Sequence, residues 1–239
     1  MAFGSDRKYM TSAQADAAQI DVGLRQYMLR VYNYMAGALA LTGLVAFLVA
    51  SSPAAVQLIF GTPLKWVVML APLGLVFFLG MRIHAMKAST AQTLFWVYAA
   101  LMGASLASIF LVFTGASVAR TFFITAAAFA GLSLYGYTTK RDLSAFGSFL
   151  VMGLIGLIIA SLVNIFLASS MLQFVISAAG VLIFAGLTAY DTQRIKEMYW
   201  DMDDGETASK KAVFGALSLY MDFINLFMFL LQFLGVRRD

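Results

Sequence analysis

The sequence predicts an all-α integral membrane protein with seven transmembrane helices. Three observations carry that expectation. Hydrophobic residues fill 62% of 239 positions and charged residues only 12%, against roughly 45–50% and about 25% in soluble domains. The apolar residues come in unbroken runs, the pattern of spanning helices, and not in the alternation of period two that marks barrel strands. Backbone at membrane depth must satisfy its own N–H and C=O groups, so such runs have to be helical.

Seven runs, each near the roughly 20 residues that a bilayer core requires, follow in order: 33–51, 66–80, 91–114, 121–138, 147–168, 172–195 and 212–234. The first follows a polar stretch of mixed charge. Residues 1–26 therefore read as a mobile cytoplasmic N-terminal arm and 27–239 as one seven-helix transmembrane domain, with 22–32 leading helically into the first span. The arm has no apolar core of the signal-peptide kind. The second run is the shortest and carries Pro72, which implies a kink there or a start in the preceding loop. The joints at 114–117 and 169–170 are tight, so their flanking helices are antiparallel neighbours. Small residues recur at spacings of three or four, as in Gly153 and Gly156 or Gly103 and Ala107, and let helices approach closely.

Lysine and arginine set the orientation. With the N-terminus cytoplasmic, inside segments hold Arg7, Lys8, Arg25, Arg30, Arg82, Lys87, Lys140, Arg141, Arg194, Lys196, Lys210 and Lys211. Outside segments hold Lys65, Arg120, Arg237 and Arg238. Twelve against four favours the N-terminus inside and, with seven spans, the C-terminus outside. A re-entrant last run would instead return the C-terminus to the cytoplasm, and the Arg237–Arg238 pair is the cluster that favours this.

Ionisable groups at membrane depth are costly and point to function. Of twelve acidic residues, only Asp191 and Asp222 fall inside apolar runs. The last two runs form a hairpin with its apex expected near 203–209, where Asp-Asp-Gly breaks the pattern. The two acids stand about 15 residues either side of Glu206 and so fall at similar height, in the cytoplasmic half. If they face each other, they share one proton in a low-dielectric site and respond to pH. Ionised, they offer hard oxygen ligands suited to Ca²⁺; protonated, they clip two helices together. The plainer alternative pairs Asp191 with Arg194 one turn on and Asp222 with Asn225. Arg82, which with His84 ends the second run, is a possible counter-charge for Asp191 or an interface anchor. Asn164, deep in the fifth run, is expected to bond across helices, and Tyr135, Tyr137, Tyr190 and Tyr220 suit packing, an aromatic belt or a pore lining.

The absence of cysteine excludes disulfides and thiol chemistry. One histidine cannot supply His-Glu-x-x-His, no Gly-x-x-x-x-Gly-Lys-Ser/Thr loop is present, and the last run lacks the lysine that a retinal protein needs. The expectation is no enzyme, no cofactor and no nucleic-acid partner.

The stretch 186–195, Gly-Leu-Thr-Ala-Tyr-Asp-Thr-Gln-Arg-Ile, resembles the sixth-helix signature of the Bax inhibitor-1 family, also called the transmembrane Bax inhibitor motif family. The stretch 219–227, Leu-Tyr-Met-Asp-Phe-Ile-Asn-Leu-Phe, is similar to its seventh-helix motif. Tyr-Gly-Tyr-Thr-Thr at 135–139 and Ser-Leu-Val-Asn at 161–164 resemble bacterial members, and the likeness covers roughly 25–235. The family's second-helix motif is less clear here. The resemblance implies a fold in which the last helix is central and a bacterial inner membrane location. It also implies a pH-sensitive Ca²⁺ leak with Asp191 and Asp222 as the di-aspartyl sensor and Ca²⁺ as a permeant or transiently bound ion. Some bacterial relatives instead modulate a membrane-bound AAA protease, a role in which the N-terminal arm would be the natural handle.

Overall fold

The computed structural model describes the backbone of residues 12–83 and 85–238, with side chains from Val22 onward. Nine helices follow in order among the described residues: α1 Ser12–Ser51, α2 Pro53–Phe60, α3 Leu64–Arg82, α4 Ala88–Leu106, α5 Ile109–Val112, α6 Gly115–Thr138, α7 Ser144–Leu167, α8 Ser170–Glu197 and α9 Gly205–Leu234. Seven stretches are long and apolar enough to cross a bilayer: Val22–Ser51, α3, the α4–α5 stretch Ala88–Val112, and α6 to α9. These match the seven expected runs.

The element bounds refine the expected runs. Helix continues through 22–32 as expected, and α1 begins earlier, at Ser12. α3 starts at Leu64, in the loop before the second run, and continues through Pro72 to Arg82. The third run is divided by a turn at Ala107 and Ser108, between α4 and α5. A short helix, α2, occupies what was read as loop. Its start is built by the Ser52 hydroxyl, which accepts from Ala55 N, with Pro53 in the first turn; both are standard starting chemistry.

α9 is the hub. It packs on α8, α1, α6 and α4, whereas α3 packs on α4 and α2, and α7 on α8. Of its most apolar stretch 61% is buried, against 39% or less in the other six spans. Leu219, Tyr220 and Leu231 are fully enclosed, while Phe149, Met152, Ile165 and Phe166 of α7 face outward. An outward-facing apolar stripe of that length requires lipid as the solvent. Around Tyr220 the core is aromatic and polar together. The rings of Phe95 and Tyr98 meet it edge-on, and Thr42 Oγ1 bonds both Ala99 O (2.9 Å) and Tyr220 Oη (2.7 Å). Since Thr42 has one proton and donates it to the carbonyl, Tyr220 donates to Thr42.

Contacts at the bundle ends show that α9 runs from one end of the bundle to the other. At one end Tyr199 beyond α8 meets Tyr27 of α1 (ring centroids 5.7 Å), and Glu206 of α9 accepts from Ala88 N (2.7 Å). At the other end Thr114 N bonds Val236 O (3.0 Å) and Arg238 N bonds Val112 O (2.9 Å). The C-terminal residues therefore lie opposite the α8–α9 hairpin, and the last run spans fully. The re-entrant alternative is overturned by an unbroken 30-residue helix with its ends tied to opposite ends of the bundle.

Candidate functional site

α8 and α9 meet along a seam of small residues. Gly215 lies against Ile195, whose Cγ2 would stand 2.9 Å from a Cβ there, and Gly180 lies against the Phe229 ring. Asp191 and Asp222 fall between these two contacts, each on the buried face of its helix. Asp191 is flanked one turn either way by buried Leu187 and Ile195, and Asp222 by buried Leu219 and Leu226.

The carboxyl groups of Asp191 and Asp222 are close enough across this seam for each to feel the other's charge. Asp222 is buried and Asp191 half-buried. Asp222 Oδ2 is sealed from solvent and has no hydrogen-bond partner among the described residues. Two carboxylates are both acceptors, so an ionised pair leaves such an oxygen orphaned; one proton between them supplies the missing donor. That is the chemistry available here: a shared proton, or a cation in its place.

The connection is the segment 198–204, a little earlier than the expected 203–209, and Gly205 already begins α9, capped by Asp204, whose Oδ1 accepts from Thr207 N (2.9 Å). With Ile195 set against Gly215, the first turns of α9 project beyond the end of α8. The contacts of Gly215 with Ile195 and of Gly180 with Phe229 centre the two helices close to Glu206, so Asp191 and Asp222 fall at similar height, as counting about Glu206 implies.

The other candidates separate. Arg194 is exposed; its charge reaches Asp191, but the two form no ion pair within 4.0 Å among the described residues. Asn225 turns back on its own helix, its Nδ2 donating to Met221 O (2.8 Å), so it does not hold Asp222. Arg82 is exposed at the end of α3, a helix that packs on α4 and α2, and it is not placed beside the acids. His84 lies outside the described residues. Asn164 bonds across helices to Gln173 (3.1 Å). Among the tyrosines, Tyr220 is buried in the core, Tyr190 packs on Gly147, Tyr135 is half exposed, and Tyr137 carries Lys196 Nζ over its ring at 5.3 Å. Among the described residues no group of three or more His, Cys, Asp or Glu could hold a metal ion.

Sequence reasoning missed the side chains that anchor this end of α8. Gln193 Oε1 accepts from Leu143 N, and its Nε2 donates to Arg141 O, both at 2.8 Å. Lys196 Nζ donates to Tyr137 O (2.9 Å), closing the last turn of α6. The hydroxyls of Tyr32, Ser133 and Thr192 form a series at 2.7 and 3.0 Å that ends on Thr188 O. It ties α1 and α6 to the turn of α8 bearing Asp191. The residues are visible in the sequence; nothing there says which backbone groups they reach.

Fold and site together define a seven-helix membrane protein, built round its last helix, with an acid pair buried in the seam between its final two spans. Residues 24–239 match the family described as "Inhibitor of apoptosis-promoting Bax1". A protein of Rickettsia prowazekii is 53% identical over 92% of this chain and 93% of its own. The inner membrane protein YbhL of Escherichia coli is 47% identical over 90% and 94%. A membrane protein of Streptococcus pyogenes is 34% identical over 92% and 96%. The chain belongs to the Bax inhibitor-1 family.

Proposed function

We propose that this protein is a pH-sensitive cation leak, passing Ca²⁺ across a bacterial inner membrane and gated by Asp191 and Asp222, and that it is not an enzyme. The observation that carries the reading is the contact between the two carboxyls, with Asp222 Oδ2 buried and unpartnered. Protonation clips α8 to α9. Loss of the proton sets like charges against each other in a low dielectric, or admits a cation between them. Ca²⁺ takes about six to eight oxygen ligands, so two carboxylates suit a transient stop for a permeant ion better than a resident site. Lysine and arginine bias puts the hairpin end in the cytoplasm, with the N-terminus inside and the C-terminus outside. The inner membrane is favoured by the name of the Escherichia coli relative.

The test is Ca²⁺ flux into liposomes holding the purified chain, titrated with pH. A flux with a midpoint near neutrality is expected, and Asp191→Asn or Asp222→Asn should abolish the pH dependence. Equal pH sensitivity in both variants would end this reading.

A second reading, as a modulator of a membrane-bound AAA protease, draws on the polar arm of residues 1–26 ahead of the first apolar run. Deleting residues 1–26 should then change complex formation and leave liposome flux intact. Unaltered binding and turnover on deletion would count against it.

A further inference from the structure

At the end of the bundle opposite the acid pair, α7, α8 and the end of α9 border an open pocket of about 490 Å³ with mixed polar and apolar walls. Three amide side chains run through it in series. Ser169 N donates to Asn164 Oδ1 (3.1 Å), Asn164 Nδ2 to Gln173 Oε1 (3.1 Å), and Gln173 Nε2 to Gln232 Oε1 (2.8 Å). The polarity of this series is set at its first link. A backbone N–H can only donate, so Asn164 must turn its oxygen toward Ser169, and each amide must then offer nitrogen to the next.

Gln232 Oε1 accepts a second bond, from the Ser177 hydroxyl (3.2 Å), while Asn164 Oδ1 and Gln173 Oε1 accept one each. The unused donors outnumber the unused acceptors: one N–H on Asn164, one on Gln173 and two on Gln232. Arg237 lines the same cavity, and its side chain has no ion pair or hydrogen bond among the described residues. Among the described residues no aspartate or glutamate lines it. The corner that makes the first link is strained. Ala168, also in the lining, has φ 48°, the positive value among described non-glycine residues, a left-handed conformation that side chains other than glycine adopt at a cost. That turn is what brings Ser169 N back to the Asn164 side chain.

A pocket with spare donors, a cation and no acid is complementary to negative charge. We propose that this cavity binds an anionic group, a phosphate or a carboxylate, presented from the side of the membrane opposite the hairpin. The proposal stands apart from the leak. The group can come from a soluble anion or from a phospholipid headgroup, and the lining Phe174 and Phe233, both partly exposed, leave room for an acyl chain beside it.

The test uses the full chain purified in neutral detergent, with two probes. Sodium phosphate is compared with sodium chloride at equal ionic strength by thermal denaturation. Phosphatidylglycerol is compared with phosphatidylcholine by native mass spectrometry. The variants are Arg237→Ala and Gln232→Glu, both at exposed positions, and Arg120→Ala, which removes the same charge from an exposed site at the same end. Saturable binding of a probe is expected, about tenfold weaker in the first two variants and unchanged in the third. Phosphate binding alone assigns a soluble anion; binding of phosphatidylglycerol alone assigns a headgroup. Absence of saturable binding by either probe, or equal affinity in all four proteins, would overturn the proposal.

Discussion

Gly136 of α6 packs directly on the backbone of Ala189 in α8: a methyl group added to the glycine would overlap the Ala189 carbonyl oxygen. Ala189 is two residues from Asp191, so this contact positions the acid-bearing turn. Gly136→Ala is expected to push α6 and α8 apart at a cost of about 1–3 kcal/mol, read as a lower melting temperature in detergent. Gly131→Ala, with nothing within 4 Å of the added carbon, should be neutral or slightly stabilising, since alanine is the better helix former. Equal effects of the two would contradict the close approach.

Asp191 and Asp222 should behave as one unit. Each Asn variant removes the shared proton by itself, so the double variant is expected to show the same pH-independent flux as either single one. Interacting residues are non-additive in this way. Flux changes that simply add would mean two separate titrating sites.

Gln193 holds the connection between α6 and α7 by two hydrogen bonds. Gln193→Ala leaves Leu143 N and Arg141 O without partners, and a stability loss of about 1–3 kcal/mol is expected. Faster amide exchange at Leu143 should accompany it. Gln193→Glu keeps the acceptor for Leu143 N and loses the donor to Arg141 O, so an intermediate loss is expected.

The Asp204 cap gives the hairpin an acid limit. Hydrogen bonds from Thr207, side chain and then backbone, hold the exposed Asp204 carboxyl below its ordinary value of 3.8. A depressed folded-state value means the cap stabilises above the unfolded value and fades as pH falls through the folded one. Asp204→Ala should therefore lower the melting temperature at neutral pH, and the difference from the parent should shrink below about pH 4. A difference that persists unchanged into strong acid would show that the carboxylate is not the cap.

The absence of cysteine allows sidedness to be tested with single-cysteine variants. Ser209→Cys and Val236→Cys lie at opposite ends of α9. Membrane-impermeant thiol reagents applied to intact spheroplasts are expected to label the second and spare the first. The reverse pattern would invert the orientation.

Much of the bundle was legible because lipid imposes a coarse rule. A chain must bury its backbone polar groups in helices and turn apolar side chains outward, so the runs from 33 to 234 announce their spans by length alone. Asp191 and Asp222 stood out because charge is rare at that depth. Local starts and stops were less visible. Ser52 and Pro53 carry an ordinary helix-start signature that an apolar-run reading passes over, and Gly205 after Asp204 looks like a break while serving as a first turn.

What the sequence determined by itself is therefore the class of protein, its seven crossings and the two acids that do not suit lipid. Tertiary structure decided that those acids meet, that Arg82 stands apart from them, and that Gln193 and Lys196 reach backbone groups of a distant turn. It also decided the direction of the Asn164–Gln173–Gln232 series. Hydropathy depends on one residue at a time; facing depends on the rotation and stagger of whole helices, and these are set by close contacts such as Gly215 on Ile195 that no single run contains.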